Sequence, residues 1–101
     1  MAINLRSELR KALSTDIAEL DGADTDPRAS RRNVIRLGLL RNAKALVERR
    51  RDVFPEIERI AVALWRYGNG DLDDLAGLAP STRRVMLVEA AKTYIIVHGT
   101  D

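Results

Sequence analysis

Apolar residues recur every three or four positions along most of this chain, and Gly, Pro or Asp stands wherever the recurrence stops. Leu5, Leu9, Ala12, Leu13, Ile17 and Leu20 fall on one helical face and predict a first helix over 3–20. The stretch "DGADTDP" then interrupts the pattern. Gly22 suits a left-handed position after a helix, and Asp26-Pro27 suits the start of the next, with Ser30 as a rival cap.

The second helix is expected to run to about Arg51, with Ile35, Leu39, Leu40, Ala43, Leu46 and Val47 on its main apolar face. Val34, Leu37 and Ala45 lie on the other side, so this helix reads as central in a bundle or shared with a second chain. Gly38 in its interior weakens it by roughly 1 kcal/mol relative to Ala, unless a close neighbour needs the space. Asp52 suits the cap of a third helix, with Pro55 in its first turn and an end at Gly68. Asp71 is then read as capping a short helix that carries Leu72, Leu75 and Ala76.

The last helix starts at Pro80 or Ser81 and runs to Val97, with apolar residues nearly all round its axis. Its "YIIV" segment has strand propensity but no second strand to pair with, so helix is expected there too. The fold class is therefore all-α: a single helical domain over residues 1–101, built as a bundle of four to five helices. The apolar surplus predicts a homodimer or larger oligomer, with Val34, Leu37, Tyr94 and Ile95 as the candidate interface.

Charge changes this picture more than composition does. The formal net charge is only +2, yet residues 12–27 carry acids alone: Asp16, Glu19, Asp21, Asp24 and Asp26. From Arg28 to Arg51 the balance reverses, with Glu48 as the sole acid. Closely spaced cations suffice for non-specific phosphate contact. Arg28, Arg31, Arg32, Arg36, Arg49, Arg50 and Arg51 are the candidate nucleic-acid-binding residues. The trio at the helix end also complements the helix dipole, whereas the cations at its start are unfavourable there.

The segment "DLDDLAGLAPSTRRVML", Asp71 to Leu87, resembles a helix-turn-helix in part. Gly77 fits the turn, Leu78 the apolar position after it and Met86 a late anchor of the second helix. Asp73 and Arg83 stand where a small residue and an early apolar anchor belong. If the motif reads DNA, Ser81, Thr82 and Arg84 lie near base edges; Arg83, at a failed anchor position, is expected to be solvent-exposed and not packed under the turn. The plainer expectation is a corner between two bundle helices.

Catalytic groups are scarce. There is no Cys and one histidine, His98, at a predicted helix end. Thiolate and His-paired metal sites therefore have no members, and no cofactor is expected. Neither "DGADTDP" nor "GNGDLDD" has calcium-loop spacing, and "GNG" lacks the Lys-Ser/Thr of a phosphate cradle. No apolar run reaches the roughly 20 residues of a membrane span, and no leader-like run opens the chain.

The expectation is a cytoplasmic, non-enzymatic helical oligomer contacting DNA largely without sequence preference, in transcription control or phage-type DNA handling. The alternative is a protein–protein regulator or adaptor that binds no nucleic acid. The expected partners are the chain itself, DNA or another protein, and no membrane.

Overall fold

In a computed structural model, residues 4–22, 27–72 and 74–99 are described. Four α-helices contain most of them: α1 (Leu5–Gly22), α2 (Pro27–Arg49), α3 (Phe54–Asn69) and α4 (Pro80–His98). One-turn 3-10 helices at Arg51–Val53 and Leu75–Gly77 lead into α3 and α4. No strand occurs among the described residues, and "YIIV" is helical throughout.

The helix starts differ from those read in the sequence. Asn4 begins α1, its Oδ1 accepting from the Ser7 backbone N–H at 3.0 Å, a side-chain N-cap. Asp26 lies outside the described residues, and α2 begins at Pro27. Asp52 does not cap α3, which starts two residues later behind Val53, with Pro55 in its first turn. Nor is Asp71 the cap of the turn that follows. The expected short helix is a single 3-10 turn, and Asp74 caps it by accepting from the Ala76 N–H at 3.1 Å. Glycines with positive φ stop the last two long helices, Gly70 after α3 and Gly99 after α4.

One hydrophobic core holds the helices together. Leu9, Leu13, Leu40, Leu46, Val47, Ile57, Leu75 and Leu87 are its largest fully buried side chains. The helix α4 packs against each of the other three, most extensively against α3. That position explains its composition. Leu87, Val88, Ala90, Ala91, Tyr94 and Ile95 are all buried within this one chain. Tyr94 and Ile95 are therefore core residues and not the interface expected of them, at 8% and 7% exposure.

The surplus lies elsewhere on the surface, at Val85, Ile96 and Val97 of α4, Tyr67 of α3, and Val34 and Ile35 of α2. Ile35 was expected in the core with Leu40, yet it is 72% exposed. The reason is helix length. Arg10 of α1 sits against Glu48 of α2, and Asp21 against Arg41, so the two helices run antiparallel. Because α1 has 18 residues and α2 has 23, the first turns of α2 extend past the end of α1. Leu37 and Leu39 are half-buried at the edge of that overhang.

Two stability measurements follow from this packing. Leu87→Ala should cost about 2–5 kcal/mol in denaturant unfolding, a large part of the stability of a domain this size. Gly38 is exposed, lies inside α2 and would meet nothing within 4 Å if given a Cβ. Gly38→Ala should therefore stabilise the protein by about 0.5–1 kcal/mol.

Candidate functional site

Two features gather charged side chains around a shape: the basic helix α2, and a cleft that α1 forms with α4 and α2. Along α2 the cations have different fates. Arg28 and Arg31 lie in the helix, but their side chains are outside the described residues. Arg32 and Arg36 are exposed, and Arg36 also lines the cleft beside Asp16 and Glu19 of α1. Farther along, Arg41 pairs with Asp21 at 3.5 Å and Lys44 with Glu48 at 3.8 Å. Glu48 also receives Arg10 at 3.7 Å.

At the far end Arg50 donates to Asp52 at 2.9 Å, while Arg49 and Arg51 are exposed. The hydrogen bond from Arg50 holds the Asp52 carboxyl below the usual carboxylate range. Arg32 and Arg49 are separated by roughly 25 Å of helix at 1.5 Å per residue. The described candidate arginines thus do not form one patch. Arg32 and Arg36 stand toward the start of α2 and Arg49, Arg50 and Arg51 at its far end, with the ion-paired Arg41 and Lys44 between.

The cleft comprises two adjoining pockets of about 390 and 310 Å³ that share Asp16, Val85 and Val88. Ala12, Leu40 and Val88 give it an apolar floor, and Lys11, Glu19, Arg36 and Lys92 stand along its rim. Both signs alternate around that rim, so the cleft has no strong field of either sign.

At one end of the cleft Glu8 meets Arg83. The guanidinium engages both carboxylate oxygens, Nε to Oε2 and Nη2 to Oε1, each at 2.6 Å. Its Nη1 donates to the Leu78 carbonyl at 3.0 Å and to the Ala76 carbonyl at 3.5 Å. Arg83 is 5% exposed. The expectation of a solvent-exposed Arg83 is therefore overturned. An arginine can occupy this buried anchor position because Glu8 supplies a matching fork of acceptors and the 3-10 corner supplies carbonyls. The same hydrogen bonds hold the Glu8 carboxyl below its ordinary range, against the opposing effect of burial.

This geometry also changes the reading of Asp71 to Leu87. A helix-turn-helix needs two helices joined by a short turn. Here, among the described residues, a single 3-10 turn precedes α4, and ten residues separate the end of α3 at Asn69 from Pro80. Ser81 and Arg84 are exposed and Thr82 half-buried on the first turns of α4. Arg84 stands at the cleft rim beside Glu8.

His98 stacks on Tyr94 with ring centroids 4.5 Å apart, at the C-terminal end of α4. Among the described residues no group of three or more His, Cys, Asp or Glu is placed to hold a metal ion. Nor is any of their helices long and apolar enough to cross a membrane. Comparison with protein-family models, curated proteins and solved structures finds no match.

The Glu8–Arg83 pair makes a pH prediction. Its folded-state carboxyl titrates lower than an unfolded glutamate, near pH 4.3, so the pair contributes stability above that pH. The contribution is lost as pH falls through the lowered value. Glu8→Gln should lower the melting midpoint at neutral pH by stranding the buried guanidinium without its counter-charge. It should also flatten the fall in midpoint between about pH 6 and pH 3. Parallel declines in the two proteins would show that the pair contributes nothing to acid stability.

Proposed function

We propose that this chain is a non-enzymatic helical module that works as a homo-oligomer and contacts nucleic acid, largely without sequence preference, through the overhanging turns of α2. One observation carries the reading. Arg32 and Arg36 are exposed near the start of α2, Arg36 at the cleft rim beside Asp16 and Glu19, and neither makes an ion pair with a described residue, whereas Arg41 and Lys44 farther along the helix are paired with acids. Cations that the fold leaves without an ion pair can approach a phosphate backbone without breaking internal pairs. Arg28 and Arg31 belong to the same turns by sequence. Base reading is not part of the proposal, since among the described residues Ser81, Thr82 and Arg84 follow a single 3-10 turn and not the first helix of a reading motif.

A second reading, a protein-binding regulator or adaptor, is favoured by Val34 and Ile35. Both are large, apolar and exposed on the same turns, at 66% and 72%. A partner protein would bury them; a phosphate backbone would not.

The two readings separate in a mobility-shift titration against duplex and single-stranded DNA. Arg32→Ala combined with Arg36→Ala should weaken binding alike on all sequences. It should also reduce the slope of log affinity against log salt by about two on duplex DNA. Arg59→Ala, on α3 and paired with Glu56, should leave both unchanged. Absence of measurable binding at low salt would remove the nucleic-acid reading and leave the protein-binding one.

A further inference from the structure

One face of α4, bordering the cleft with α1 and α2, carries four residues at spacings of four, three and four: Val85, Glu89 and Ile96, which are exposed, and Lys92, whose side chain is 16% exposed. That is the spacing of a helix–helix seam. The opposite side of the helix, with Leu87, Ala91 and Tyr94, is buried in the core. The two ends of the seam are apolar and open to solvent, Val85 at 59% and Ile96 at 72% exposure. Its middle is charged: Lys92 Nζ lies 2.6 Å from Glu89 Oε1.

We infer that two copies of this chain pair antiparallel through this face of α4, with Val85 against the partner's Ile96 and Glu89 against the partner's Lys92. The seam is its own complement. A two-fold axis passing between Ala90 and Ala91 brings each apolar end onto the other apolar end and each acid onto a base. Every such contact forms twice, as an isologous interface requires. Parallel pairing would set Glu89 on Glu89 and Lys92 on Lys92, so the charges select the antiparallel arrangement.

The two apolar layers are separated by roughly 16 Å of helix, and the charge quartet between them alternates in sign. Beside the seam stand Asp16, Glu19 and Arg36 from α1 and α2, which bring mixed and not like charge to the flank of the pair. With only two apolar layers, the dimer is of the weak, concentration-dependent kind. The inference rests on the self-association in the proposed function and replaces Tyr94 and Ile95 as its contact surface.

A mixing experiment tests it, read by sedimentation velocity with helix content checked by circular dichroism. Glu89→Lys makes the seam wholly basic and Lys92→Glu makes it wholly acidic, and neither variant keeps a Glu89–Lys92 pair within its own chain. The wild type should dimerise in the micromolar to high-micromolar range. Each variant should be monomeric there, with its dimer weakened at least about tenfold, and an equimolar mixture should recover a dimer containing one chain of each. Ile96→Asp should also be monomeric with unchanged helix content, which separates loss of pairing from loss of fold. A mixture that stays monomeric overturns the antiparallel pairing. Single variants that remain dimeric overturn this surface while leaving self-association intact, and a wild type monomeric throughout overturns both.

Discussion

The bidentate pair between Glu8 and Arg83 is the interaction on which the arrangement of this bundle depends. It joins side chains 75 positions apart in the chain. One guanidinium satisfies a carboxylate from α1 and two carbonyls from the corner before α4, and thereby sets where α4 begins relative to α1. A buried charge pair is seldom a large net source of stability, because desolvation offsets much of the attraction. Its value here lies in geometry. A leucine at position 83 could slide or rotate against α1, whereas a planar fork has one orientation that satisfies its acceptors. The Ala76 and Leu78 carbonyls would otherwise need water at a partly covered corner.

How legible these features were in the sequence depends on the range of the interaction involved. Helix content, the end of α3 and the start of α4 follow from local rules of spacing, glycine and proline. Capping was less legible, because several acids compete at each junction and only one meets the right backbone amide. Asp74 is chosen over Asp71, three residues earlier, because it meets the Ala76 amide. The Arg83 anchor was the least legible. Its signal was present: Arg83 precedes Leu87 by one turn on the face that continues to Tyr94, and Glu8 precedes Ala12 in the same way. Each residue alone on an apolar face reads as a defect. Only together do they read as a pair, and nothing local links residue 8 to residue 83.

Core and surplus also exchanged places for a physical reason. An apolar residue on α4 is buried if one of three neighbouring helices reaches it, so wheel position alone overestimates what is left for a partner. Tyr94 and Ile95 are covered in this way. Conversely, Ile35 lies on the same side of α2 as the buried Leu46, yet α1 ends before reaching it. Burial here is decided by where helices stop as much as by which way their residues face. Sequence periodicity carries the second kind of information and only weakly the first.

The same mismatch in length connects the fold to its proposed partners. Along the part of α2 that α1 covers, acids from α1 and from α2 itself neutralise the cations, and apolar residues enter the core. Past the end of α1 neither compensation is available to the described side chains, so Arg32, Val34 and Ile35 face solvent, while Arg36 reaches the cleft rim beside Asp16 and Glu19. Exposed cations and exposed apolar groups on these turns suit different kinds of partner, and Val85 and Ile96 of α4 add exposed apolar surface, Val85 on the cleft that Arg36 also lines. A bundle whose long helix matched its neighbour would lack the first of these surfaces. Shortening that overhang should therefore alter binding without touching the Glu8–Arg83 anchor, because the two lie on opposite ends of α1.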